Sequence, residues 1–336
     1  MKKLKRIFAV FFCLLLAAGI LGGCGKAASS SAPAPSALQS GNKPLKIVTT
    51  IFPEYDWVRE ILGDKADHAE VTMLLDNGVD LHSYQPTADD IIKISDCDLF
   101  LYVGGESDGW VEDALKEATN QNMKVINLLD VLGERAKVEE VVEGMAAEEE
   151  ESEDEDEPEY DEHVWLSLKN AETLCNAISD ALEEIDPANK DAYATNAASY
   201  LEKLAALDGE YQTVADNAAR KTVLFGDRFP FRYLVDDYGL RYYAAFAGCS
   251  AETEASFETI SFLAGKVDEL GLPCVLTIEG AQHKIAETIV QNTAEKNQSI
   301  LTLDSMQSTT STDVANGTTY LSVMESNLDV LKQALN

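Results

Sequence analysis

Residues 186–221 read "DPANKDAYATNAASYLEKLAALDGEYQTVADNAARK", and this stretch decides the architecture. Apolar side chains at Tyr193, Ala197, Tyr200, Leu204 and Leu207 recur at helical spacing, so one face of a long helix is buried. Asp186 fits the N-cap and Pro187 the first helical position, which predicts one helix of roughly thirty residues, about 45 Å long.

On either side of this helix, strand and helix patterns alternate. Before it, "LKIVTTI", "AEVTMLL", "DLFLYVGG" and "KVINLL" read as strands. Helical stretches separate them, among them "EYDWVREILGD" and "PTADDIIKIS", where Thr87 and Asp90 form a capping box. After it, "KTVLFG", "RYYAAFAG", "PCVLTIEG" and "SILTLDS" are strands, and "ASFETISFLAGKVDELG" and "IAETIVQNTAEK" are helices. This alternation predicts the α/β class: two lobes, each a parallel sheet covered by helices, joined by one long backbone helix. The expected divisions are an N-terminal lobe over 44–185, the linking helix over 186–220 and a C-terminal lobe over 221–336.

The chain of 336 residues carries a net charge of -33, which argues against a nucleic-acid partner because basic surface is needed to displace counterions. Much of the excess lies in an acidic loop at about 138–162. The N-terminus begins with basic "MKKLKR" and an apolar run too short for a comfortable membrane span. "LGGC" follows, a lipobox-like ending in which Cys24 would carry lipid. Residues 1–23 are therefore expected to be a lipoprotein signal peptide, and 24–43, rich in Ser, Ala and Pro, a flexible tether. An extracytoplasmic protein anchored to a bacterial membrane by lipid is expected, and a monomer. Of the other cysteines, Cys97 and Cys175 read as small core residues, and Cys249 and Cys274 could form a disulfide. None shows CxxC spacing.

Four histidines are present, and two sit where ligands bind in open α/β sheets. His82 lies in the loop "NGVDLHSYQPTADD" between a strand and a capped helix. His163 ends the acidic run in "EPEYDEHVWLSLKN", at the border between a polar loop and a buried element. Imidazole is the commonest protein ligand for divalent transition metals, so two such loops favour metal binding. His68, among charges, reads as surface. Tyr160, Trp165, Phe229 and Phe231 could wall a cleft or serve packing. No H-E-x-x-H helix or phosphate-binding glycine loop is present, so an enzyme is not expected.

The stretches "DLHSYQPTADDIIKISDCDLFLYVG", "DEHVWLSLKNA", "DPANKDAYATNAASYLEKLAALD" and "ILTLDS" resemble the zinc/manganese solute-binding lipoproteins of ATP-binding-cassette importers. The resemblance covers nearly all of the mature chain. It implies capture of a divalent transition metal, Zn2+ first and Mn2+ second, between two lobes, and delivery to an ABC permease and its ATPase. It further implies that His82, His163 and Asp304 are metal ligands. Counting back from "YGL", the family's third ligand falls on Arg228, which cannot ligate a cation. Glu279, His283 or Asp227 is the candidate remaining ligand; alternatively Asp227 and Arg228 form a salt bridge bracing the site. The acidic loop could concentrate cations near the cleft or be a solvated charge run. Two other readings are a surface adhesin and a receptor for an anionic chelate, recruited by Arg228 and Arg232.

Overall fold

Four short strands, β1 (Leu45–Thr49), β2 (Ala69–Met73), β3 (Leu99–Tyr102) and β4 (Lys124–Asn127), form the first sheet in the order 2-1-3-4, all parallel. The second sheet repeats this plan: β5 (Thr222–Phe229), β6 (Arg241–Ala247), β7 (Cys274–Thr277) and β8 (Ser299–Thr302), in the order 6-5-7-8 and again parallel. The computed structural model describes residues 43–146, 159–250, 254–280 and 283–336. The expected signal peptide, Cys24, the expected tether up to residue 42 and residues 147–158 of the acidic loop lie outside the described residues.

The strands are apolar because helices cover the sheets. All four residues of β7 are buried, as are Leu99, Phe100 and Leu101 of β3. Around the first sheet run α1 (Phe52–Leu62), α2 (Ala88–Ser95), α3 (Val111–Lys116), α4 (Leu128–Leu132) and α5 (Leu168–Ile185). The capping box expected for α2 is present: Thr87 Oγ1 accepts from Asp90 N–H and the Asp90 carboxylate accepts from Thr87 N–H.

The connecting helix α6 spans Lys190–Asn217, 28 residues with Tyr193, Ala197, Tyr200, Leu204, Leu207, Tyr211 and Ala215 buried on one side. Its start is later than expected. Asp186 ends α5 instead of opening α6, and its carboxylate accepts from Asn189 Nδ2 and Tyr193 Oη, both at 2.7 Å. Those bonds hold residues 186–189 as a turn, with Asn189 as the N-cap. The second sheet is flanked by α7 (Arg232–Asp237), α8 (Phe257–Leu270), α9 (Lys284–Asn292), α10 (Ser311–Ala315) and α11 (Tyr320–Leu335).

The last helix returns to the first lobe. Tyr320 N–H donates to Asp56 at 2.9 Å, its hydroxyl donates to Trp165 O at 2.7 Å, and its ring meets Trp57 edge-on at 5.2 Å. Trp165 Nε1 in turn donates to Ser305 O across the lobes at 2.9 Å. Trp165, Phe229 and Phe231 are buried in packing, whereas Tyr160 is exposed.

Candidate metal centre

The residues singled out by sequence cluster at the carboxyl ends of strands, where parallel sheets place ligands. His82 follows β2, in a short turn over Leu81–Ser83 capped by Asp80, whose Oδ1 accepts from His82 N–H at 3.0 Å. His163 precedes the turn Val164–Leu166 that leads into α5, whose N-cap is Ser167. Asp161 Oδ1 accepts the His163 backbone N–H at 2.9 Å, fixing that loop from within.

The two imidazoles meet. Their Nε2 atoms are 3.2 Å apart and their ring centroids 5.1 Å. Behind each ring stands a partner for Nδ1. His163 Nδ1 faces Asp161 Oδ1 at 3.0 Å, and His82 Nδ1 faces Ser107 Oγ at 2.8 Å. Glu162 closes the arrangement: its Oε1 accepts from Ser107 N–H at 2.9 Å, while its Oε2 lies 3.4 Å from His82 Nδ1 without a hydrogen bond. In the neutral tautomer with Nδ1–H donated outward on both rings, two Nε2 lone pairs would point at one place. A tetrahedral zinc with Zn–N bonds of about 2.0–2.1 Å separates two nitrogens by about 3.3 Å, close to this spacing.

The charge balance fits a cation. His163 is fully buried, which opposes a charge on its ring, but the Asp161, Glu162 and Asp80 carboxylates outweigh that and raise its pKa. Burial, and then a charged His163 beside it, push His82 down to about 3, so His82 stays neutral and keeps its lone pair. Burial raises Glu162. Asp80 also feels burial, yet Arg228 and His82 hold its carboxyl below the ordinary range.

Arg228, at the position of the family's third ligand, is occupied elsewhere. Its Nη2 donates to Asp80 Oδ2 at 2.6 Å, joining the two lobes. The alternative pairing with Asp227 is not what braces the site. Asp227 Oδ1 instead accepts from the Arg228 backbone N–H at 2.9 Å and Oδ2 from Ile278 N–H at 3.3 Å. This geometry follows from a bulge in β5, where Phe225 pairs with Ala244 but Arg228 with Phe246, so one extra residue turns the strand end.

The other candidates are placed as follows. Glu279 accepts from Ser305 N–H at 2.7 Å, Ser305 Oγ at 2.8 Å and Gln307 N–H at 3.0 Å, which ties the loops after β7 and β8 together. Asp304 Oδ1 accepts from Met306 N–H at 2.7 Å, and burial together with the Glu279 charge pushes its pKa up to about 6. His283 caps α9, with its Nδ1 buried and unbonded. Among the described residues, the side chains whose ligand atoms gather within 4.8 Å of one another are His82, His163 and Cys249. Cys249 was not among the expected ligands. All four described cysteines are free, so Cys249 and Cys274 are not joined in a disulfide.

Two α/β lobes with the same strand order, a long connecting helix and an imidazole pair facing the second lobe define a two-lobe solute-binding protein. Residues 47–334 match the family described as zinc-uptake complex component A, periplasmic, and the chain belongs to that family. It is 32% identical to the high-affinity zinc uptake system protein ZnuA of Bacillus subtilis, over 99% of this chain and 98% of that protein. It is 33% identical to the zinc-binding lipoprotein AdcA of Streptococcus pneumoniae over 86% of this chain, which spans 55% of that longer protein. The Zn(II)-bound ZnuA-like domain of S. pneumoniae AdcA is similar in structure, with TM-score 0.67, 30% identity and coverage of 87% of this chain and 99% of that one. A laminin-binding protein, Lmb, of Streptococcus agalactiae shares the fold at TM-score 0.69 and 24% identity, covering 87% of this chain and 100% of that one.

Proposed function

We propose that this protein is the extracytoplasmic receptor of a zinc importer: it takes zinc into the cleft between its lobes and delivers it to an ABC permease driven by an ATPase. The single observation that carries this reading is the pair of Nε2 atoms 3.2 Å apart, each ring held from behind by a polar partner. Such an edge suits zinc, and imidazole ligands favour zinc over manganese. His82 and His163 hold the ion from the first lobe, and Asp304 meets it from the second. Glu279 is a brace for the Asp304 loop, and Asp227 a brace for the end of β5. Lipid on Cys24 keeps the monomeric receptor beside its permease. Binding and release suffice for this role; no bond of a substrate is made or broken.

The test is metal content. The protein beginning after Cys24 is stripped, reloaded from a zinc/manganese mixture and weighed by native mass spectrometry beside His82→Ala and Asp304→Ala. One zinc per chain, lost in both variants, is the expected result. Loading that survives both substitutions places the metal elsewhere and overturns the reading.

A further inference from the structure

Arg228 leaves the site short of a ligand, and the fold supplies a different atom at that place. Cys249 follows β6 by two residues, at the carboxyl end of the second sheet's edge strand. The intervening Gly248 lets the strand end approach His163. A Cβ there would stand 2.9 Å from Phe229 O and 3.1 Å from Cε1 and Nδ1 of the His163 ring. Cys249 is itself held by its backbone, whose N–H donates to Glu139 Oε1 at 2.9 Å. Its Sγ lies with His82 and His163 in the group whose ligand atoms are within 4.8 Å of one another.

We propose that Cys249 is the third metal ligand, as a thiolate, so that the ion is held by two imidazoles and one sulfur with the fourth position left to Asp304. This rests on the receptor reading above. For Zn–N near 2.05 Å and Zn–S near 2.3 Å, a tetrahedral edge between nitrogen and sulfur is about 3.6 Å, so Cys249 Sγ needs only a small shift to reach the ion. On binding, the S–H bond breaks, the proton passes to solvent and the sulfur lone pair forms the metal bond. Arg228 is consistent with this arrangement: its guanidinium is drawn to Asp80 at 2.6 Å, and the ion loses an imidazole but gains an anionic donor. A thiolate also narrows selectivity. Soft sulfur suits zinc and disfavours manganese, which prefers oxygen donors.

Cobalt substitution reads this directly, since a Co(II)–thiolate bond gives a near-ultraviolet charge-transfer band that imidazole and carboxylate ligands do not. The full mature chain is titrated with Co2+ and then Zn2+, beside Cys249→Ser and Cys249→Ala, with Cys274→Ala as a thiol control. The expected result is a band at one Co2+ per chain in the wild type and the Cys274 variant, displaced by Zn2+ and missing from both Cys249 variants. Zinc affinity in those two variants should fall by at least the roughly 10- to 100-fold typical of losing a residue that supports a ligand. Cobalt and zinc bound tightly with no such band overturns the thiolate while leaving the receptor intact. A wild-type chain that binds neither metal overturns the receptor reading itself. Because the band is read on the wild type, a misfolded variant does not spare the proposal.

Discussion

The two ends of the proposed metal centre are built on different principles. At the first-lobe end, His82 and His163 are each held at Nδ1 by a hydrogen-bond partner, which turns the two Nε2 atoms toward each other. At the second-lobe end, Asp304 and Glu279 are close enough for one charge to resist the other, and Glu279 spends its oxygens on three donors from residues 305–307. The imidazole end is therefore arranged before an ion arrives, whereas the carboxylate end gains most when a cation removes the repulsion. Preorganised donors lose least on binding, so the larger share of affinity is expected from the histidines.

The strongest way to break this comparison is His163→Ala. It removes a fully buried proposed ligand and leaves the Asp161 carboxylate facing a void, and zinc affinity measured by chelator competition should fall beyond the roughly 100-fold that supporting residues cost. Asp161→Asn comes next, because it keeps the shape of the site but weakens the hold on Nδ1–H. A loss of about 10- to 100-fold is expected, with the fold unchanged by circular dichroism. An affinity equal to wild type would mean that the ring needs no such hold.

Glu279→Gln sharpens the other end. One acceptor oxygen becomes an NH2 group facing Ser305 or Gln307 donors, so about 1–3 kcal/mol of stability should be lost in a denaturant titration. Zinc affinity should change by less than in Asp161→Asn. A drop as large as that of His163→Ala would make Glu279 a ligand and not a brace.

The smallest effect concerns acid groups beneath the site. Glu54 is fully buried, and burial followed by the Asp108 charge pushes its pKa up to about 8. Because the folded form holds this proton more tightly than the unfolded form, the contribution is complete below the ordinary carboxylate pKa and is lost as pH rises toward about 8. Burial raises Asp108 to about 7 and Asp56 to about 6, which act in the same direction. Glu54→Gln keeps an acceptor for Thr50 N–H and cannot ionise. Its thermal midpoint should gain on that of the wild type between about pH 5 and about pH 8; a constant gap would show that Glu54 does not titrate there.

What sequence revealed and what it hid divides along the same line as local and distant contacts. The capping box at Thr87 and Asp90 spans four residues, and the stripe from Tyr193 to Leu207 repeats within one helix, so both could be read directly. His82 and His163 were readable because each lies in a polar loop beside a strand or helix boundary. Asp186 was misread because its carboxylate can cap a helix or hold a turn, and the choice depends on Asn189 and Tyr193 answering it. Cys249 gave a weaker signal. It stands at the carboxyl end of a parallel strand, a place where ligands gather, but its approach to His163 depends on the β5 bulge, the β6 register and Gly248. The pairing of Arg228 with Asp80 joins residues 148 positions apart, and no local pattern announces it.

The return of α11 to the first lobe bears on how the two lobes cohere. Tyr320, near the end of the sequence, completes the packing around Trp57 and Trp165. A chain emerging N-terminus first has all the strands of its first sheet long before it has this plug. The packing around Trp57 and Trp165 in the first lobe is therefore finished by a residue from the far end of the chain, so one core runs through both lobes.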